Sequence, residues 1–143
     1  MAPAPLVPVD PAKPAVVVDG GPTLSYGELE AGSNRVAHLF RAAGLKRGDH
    51  IAFVLENRAE AFVGAWAAQR AGLYYTACST RLGVDELTYI VTDCEARVLV
   101  ASAETLPVAG EVVAPAVELR LTVDGPTEGW DALDAAVAAF PDT

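Results

Sequence analysis

Few side chains in this sequence have the chemistry to serve as nucleophile, general base or metal ligand. They are two histidines, His38 and His50, two cysteines, Cys78 and Cys94, and scattered carboxylates. A catalytic triad needs a base within reach of a serine or thiol and a third group to orient that base. Neither histidine has such a context: His38 falls on a predicted solvated helix face, and His50 opens a predicted strand, where a hydrogen bond within the sheet accounts for it. Cys78 and Cys94 show no C-x-x-C spacing and no histidine at zinc-like distance, so they read as buried free thiols. Asp85-Glu86 and Asp93-x-Glu95 could act as acid and base, but both pairs fall at the ends of a predicted helix, where terminal electrostatics explains them. Trp66 and the Tyr74-Tyr75 pair could line an aromatic slot, yet they sit inside apolar runs and are expected in the core. None of the 12 glycines falls in G-x-G-x-x-G or in G-x-x-x-x-G-K-[ST], so no phosphate cradle is encoded. The sequence assigns no catalytic, cofactor-binding or metal-binding residue.

The elements that would position any site are easier to read. Ala15–Val18, the turn Asp19-Gly20-Gly21-Pro22 and Thr23-Leu24 predict a β-hairpin. Ser25-Tyr26-Gly27-Glu28 is an S-x-x-E capping box that opens a helix to about Ala43, with Tyr26, Leu29, Val36 and Phe40 as its apolar stripe and Ser33 as a small gap. Gly44 and Leu45 supply the left-handed stop and its hydrophobic contact. Ile51–Leu55 is an apolar run suited to a strand buried on both faces. Asn57 is the expected cap of the next helix, with Glu60 in its first turn, and that helix carries Phe62, Val63, Trp66 and Ala67 before ending at Gly72. So apolar a helix belongs between two layers. Leu73–Ala77 is the next strand, Val84 to about Thr92 a helix, and Arg97–Ala101 another buried strand. Farther on, a helical turn at Glu104–Pro107, a strand at Arg120–Val123 and a helix from Trp130 to Phe140 are expected, with Pro141 as the stop. Alternating strands and helices at short connections predict an α/β fold built as a parallel βαβ layer.

Composition narrows the class. At 143 residues and 52% hydrophobic content, the chain can bury one core, and disorder is excluded over most of its length. Its formal charge of -9 gives the counterion-release term of nucleic-acid binding the wrong sign. No apolar run approaches the about 18 residues of a membrane span, and the N-terminus lacks the pattern of a signal peptide, so a cytoplasmic location is expected. Residues 1–14 hold five prolines and are expected as an extended leader.

Several segments together resemble a known family. Thr23-Leu24-Ser25-Tyr26-Gly27-Glu28-Leu29, Ser33-Asn34-Arg35-Val36-Ala37 and Gly44-Leu45-Lys46-Arg47-Gly48-Asp49-His50-Ile51-Ala52 are followed in order by Leu55-Glu56-Asn57, Gln69-Arg70-Ala71-Gly72-Leu73-Tyr74-Tyr75, Arg81-Leu82 and Glu86-Leu87-Thr88-Tyr89-Ile90. Each is weak alone; in this order and spacing they resemble the opening of the AMP-forming adenylate synthetases, which include acyl-CoA synthetases, luciferases and nonribosomal adenylation domains. The resemblance is dense over residues 15–102. It implies that residues 15–143 form the N-terminal α/β subdomain of the large AMP-binding domain, truncated before the ATP phosphate loop, with 1–14 as leader. The family's Ser/Thr/Gly-rich loop with its lysine, its adenine and ribose contacts, its magnesium-binding glutamate and its catalytic lysine would all lie after Phe140-Pro141. Tyr75-Thr76-Ala77-Cys78 departs from the Tyr-x-Pro ending of amino-acid-loading enzymes, and the stretch from Arg81 to Ser102 is most similar to fatty-acyl-CoA ligases. The resemblance therefore implies a non-catalytic fragment of an ATP-dependent fatty-acid–CoA ligase. ATP, magnesium, CoA and a fatty or other carboxylic acid would be partners of the full-length enzyme only, and a homo-oligomer is left open. The competing expectation is a free-standing interaction module that has kept the core and lost catalysis.

Overall fold

The computed structural model describes residues 9–143. Of the expected leader, residues 1–8 lie outside the described residues. Asp10–Lys13 makes a turn closed by the Lys13 N–H donating to the Asp10 carbonyl at 3.0 Å. Strand β1 (Pro14–Val17) pairs antiparallel with β2 (Thr23–Ser25) as a separate two-stranded sheet.

Helix α1 (Tyr26–Ala42) begins as its sequence dictates. The Ser25 hydroxyl accepts from the Glu28 N–H at 3.1 Å, and the Glu28 carboxylate accepts from the Ser25 N–H at 2.8 Å. Gly44, at φ 87°, ends it: the Gly44 N–H donates to the Arg41 carbonyl and the Leu45 N–H to the Phe40 carbonyl. Helix α2 (Ala59–Ala71) stops in the same way, with Gly72 at φ 72° and the Leu73 N–H reaching back to Ala68 at 2.8 Å.

The main sheet holds β3 (His50–Val54), β4 (Tyr74–Cys78), β5 (Ala96–Ala101), β6 (Leu119–Thr122) and the two-residue β7 (Asp131–Ala132) in the order β4-β3-β5-β6-β7, all parallel. The fold class expected from the alternation of strands and helices is the one observed. Side chains of the central strands alternate between two cores, as the pleat requires. Ile51, Phe53, Val98, Val100 and Leu121 meet Val36, Phe40, Ala67 and Ala68 of α1 and α2. Ala52, Val54, Leu99 and Ala101 meet Leu87 and Val91 of α3 (Val84–Asp93) and Ala109 of the one-turn α4 (Leu106–Ala109).

Three local expectations are corrected. Asn57 does not cap α2; Arg58 occupies that position and makes no side-chain cap bond there. The core-facing side of α2 is built from Ala59, Ala65, Ala67 and Ala68, which let the helix approach the sheet closely, while Phe62 and Trp66, one turn apart, stay 48% and 40% exposed. Tyr74 and Tyr75 are exposed as well, because β4 lies at the sheet edge. The helix expected over Trp130–Phe140 is broken: Gly129 at φ 80° turns the chain, Asp131–Ala132 is drawn out to pair with Leu121–Thr122, and α5 spans only Leu133–Val137. Trp130 and Leu133 therefore enter opposite cores.

Candidate functional site

In a doubly wound sheet the natural binding crevice lies beyond the carboxyl ends of the strands, where the strand order reverses. Here that point falls between β3 and β5. The chain leaves β3 through Leu55–Arg58 toward α2 on one face and leaves β5 through Ser102–Thr105 toward α4 on the other.

The crevice is filled by the protein's own polar groups. Ser102, fully buried, donates its hydroxyl to Glu56 Oε2 at 2.6 Å and so ties the two strand ends together. Thr105, also buried, donates to the Val54 carbonyl at 2.8 Å and accepts from the Ser102 N–H at 3.0 Å. Arg58 stands beside this seal. Its Nε and Nη2 make a forked contact to both Glu60 oxygens at 2.9 Å, and its Nη1 reaches Glu56 Oε1 at 3.0 Å and Asp124 Oδ2 at 2.8 Å. Asp124, just past β6, accepts a further bond from the Ala103 N–H at 2.8 Å. One guanidinium thus joins the carboxyl ends of β3 and β6 to the first turn of α2, and β5 is tied in through the bonds of Ser102 to Glu56 and of the Ala103 N–H to Asp124.

The electrostatics follow from these contacts. Hydrogen bonds from Arg58 hold Glu60 and Asp124 below their ordinary carboxylate range. Burial opposes ionisation of Glu56, but the Ser102 and Arg58 hydrogen bonds outweigh it and its pKa is also lowered. The same carboxylates, Glu60 first, push the Arg58 guanidinium upward. A single cation surrounded by three anions offers nothing to a phosphate, and Glu60 already occupies the amino end of α2. These residues do not fit a bound nucleotide. Among the described residues, no group of three His, Cys, Asp or Glu side chains is placed to hold a metal ion.

The residues weighed for chemistry lie elsewhere and apart. His38 meets the Thr143 carbonyl at 2.9 Å through Nε2 and stacks on Phe140. His50 Nε2 lies 2.9 Å from the Thr76 hydroxyl on β4, the bond within the sheet expected of it. Cys78 is a buried free thiol whose pKa burial pushes up to about 11, while Cys94 is free and half-buried. Asp85 and Glu86 lie exposed in the first turn of α3; Glu95 takes a left-handed φ of 55° just past its end. At the opposite, amino edge of the sheet, Arg97 bridges Asp49 and Glu118 at 2.6 Å each. Sequence reasoning missed Arg58 as an organiser. The alternating charges of Glu56-x-Arg58-x-Glu60 were its only local signal, and Asp124 joins through topology alone.

A groove of about 740 Å³ opens next to this cluster, between Ala15–Asp19 on one side and Phe53, Leu55, Phe62 and Ala77 on the other. No helix among the described residues is long and apolar enough to cross a membrane.

The chain is 33% identical over 132 residues to the 3-hydroxybenzoate–CoA ligase of Aromatoleum sp. (strain CIB), which covers 89% of this chain and 25% of the ligase. It is 35% identical over 106 residues to the 4-hydroxybenzoate–CoA/benzoate–CoA ligase of Rhodopseudomonas palustris, covering 74% of this chain and 20% of that protein. The chain thus spans a quarter or less of these relatives. In fold it matches the anthranilate CoA ligase AuaEII, solved with anthranoyl-AMP, at a TM-score of 0.86 and 24% identity over 96% of this chain and 27% of that one. The family model described as AMP-binding enzyme matches residues 7–142, and the chain belongs to that family.

Proposed function

We propose that these residues are the N-terminal subdomain of an ATP-dependent, AMP-forming carboxylic acid–CoA ligase, and that they support the reaction without performing it. The sealed crevice carries this reading. In a sheet of this winding, the place where a nucleotide would sit is occupied by the Ser102–Glu56 bond and by an arginine already committed to three carboxylates. ATP, magnesium and CoA would be held by parts of the enzyme beyond this subdomain. The acids named for the two most similar relatives reported above favour an aromatic carboxylate over the fatty acid suggested by the stretch from Arg81 to Ser102. A cytoplasmic location goes with this reading.

The test has two arms. The purified 143-residue chain is assayed for ATP–pyrophosphate exchange with benzoate, hydroxybenzoates and octanoate, and none is expected. The product of the whole reading frame is assayed for CoA thioester formation, with kcat/KM expected to be at least tenfold higher on an aromatic acid. Exchange by the chain alone would overturn the supporting role. A reading frame that stops at Thr143 would favour the interaction module, and turnover confined to octanoate would restore the fatty acid.

A further inference from the structure

The segments Ser33-Asn34-Arg35 and Gln69-Arg70 take no part in the sealed crevice, yet the fold joins them in one network. Arg70, in the last turn of α2, forms an ion pair with Glu30 of α1 and donates from Nε to the Ser33 hydroxyl at 3.0 Å. Ser33 in turn donates to the Glu30 carbonyl at 3.0 Å. The Glu30 carboxylate also accepts from Asn34 Nδ2 at 3.4 Å, which helps orient that amide.

The same amide faces the chain beyond α5. Asn34 and Arg35 lie four and three residues before His38, so the three share one face of α1. All are half-buried, although their types suit a solvated face, because residues 140–143 run across them. Asn34 Nδ2 donates to the Asp142 carbonyl at 2.9 Å, and Arg35 lies 3.5 Å from the Asp142 carboxylate. His38 donates from Nε2 to the Thr143 carbonyl at 2.9 Å, and its ring stacks on Phe140 with centroids 6.4 Å apart. A segment that follows a last short helix ordinarily frays unless it is tied down. These bonds tie it, but they contribute little to stability: the Arg35–Asp142 side chains are 43% and 52% exposed, and such pairs are screened by solvent. What they fix is direction. Leu133 anchors the start of α5 in the core, and the clamp on α1 sets the line that the chain follows after it.

We propose that Asn34 and His38 are positioning residues, which hold residues 140–143 so that a chain continuing past Thr143 presents the groups of the reaction in register with this subdomain. The proposal rests on the reading above, in which those groups lie beyond the subdomain. The relay from Arg70 through Glu30 to Asn34 braces the clamp on both helices.

The test uses the product of the whole reading frame. Asn34→Asp keeps the size of the side chain but sets a carboxylate against a carbonyl, and His38→Ala removes both donor and ring, whereas His38→Gln restores a donor. Each variant is compared with the parent by CoA thioester formation, by thermal melting and by hydrogen–deuterium exchange of a peptide covering Ala138–Thr143. Asn34→Asp and His38→Ala should speed exchange of that peptide and lower kcat by about fivefold or more, with KM for the acid within about twofold. Their melting temperatures should stay within about 2 °C of the parent. His38→Gln should recover about half of the parent kcat or more. Faster exchange with kcat unchanged, exchange unaffected by either variant, or a kcat loss that tracks the melting temperature would each overturn the positioning role. A parent that forms no CoA thioester would sink the reading on which the proposal rests, and the role with it. An active parent with indifferent variants would remove the role alone.

Discussion

At the scale of single residues, Arg58 carries more structure than any other charged side chain described. It has three carboxylate partners drawn from two connections of the sheet, Glu56 and Glu60 from the one after β3 and Asp124 from the one after β6, and it is three-quarters buried, so its bonds are shielded more than those of a surface pair. Replacing it by methionine keeps the length of the side chain but leaves three carboxylates facing one another. Arg58→Met should cost about 2–3 kcal/mol in urea unfolding at pH 7. The pH dependence has a definite sign. Glu56, Glu60 and Asp124 all have folded pKa values below their unfolded ones, so their stabilisation is complete above the ordinary carboxylate range, near pH 4 to 4.5, and is lost as pH falls through the lowered values. In the methionine variant the stability gap to the parent chain should therefore shrink as pH is lowered from 7 to 3. A gap independent of pH would mean that Arg58 acts through packing instead.

At the scale of elements, one backbone position recurs at three helix ends with different residues in it. Just past α1, α2 and α3 stand Gly44 at φ 87°, Gly72 at φ 72° and Glu95 at φ 55°. A side chain in the left-handed region crowds its own backbone, which costs about 1 kcal/mol. Gly44→Ala should therefore destabilise by about that amount. Gly72→Ala should cost more, because its new Cβ would lie 3.1 Å from the Arg47 side chain, whereas the nearest atom at Gly44 is 4.0 Å away. Glu95→Gly should move the opposite way and raise the melting temperature by a few degrees. The two glycine stops were legible because each is followed by a leucine that turns into the core, Leu45 and Leu73. Glu95 was not, since nothing in its type announces a positive φ. The broken helix at Trp130 failed for a related reason. Trp130, Leu133, Val137 and Phe140 keep helical spacing, but the pairing of β7 with β6 that interrupts them is a contact between distant segments.

At the scale of the molecule, hydrophobicity predicted which stretches are strands and helices better than which faces are hidden. The unbroken apolar runs of β3 and β5 were read as strands buried on both faces, which they are, whereas α2 is apolar on nearly all sides and left the choice of buried face to its neighbours. That choice fell to alanine, and it separates two bulky residues that look alike in sequence. Phe40→Ala removes a ring that is 1% exposed and should cost about 3–5 kcal/mol, while Trp66→Gln, at a position 40% exposed, should stay within about 0.5 kcal/mol of the parent. Paired urea titrations check both; a large cost at Trp66 would show that α2 is seated differently. The candidate site was legible only in part. Its absence of phosphate-binding motifs could be read along the chain, but the closure of the crevice depends on Glu56 meeting Ser102, two residues 46 positions apart.

The uniformly parallel pairing of the main sheet also bears on how the chain reaches its fold. No two neighbouring strands there can zip from a tight turn, since every pairing waits for a crossover to close. Among the described residues, the β1–β2 hairpin and the capped start of α1 are local seeds, and they lie outside that sheet. Folding should thus be slow relative to a helical chain of this size, with α1 forming early and the exposed edge of β4 unprotected until late.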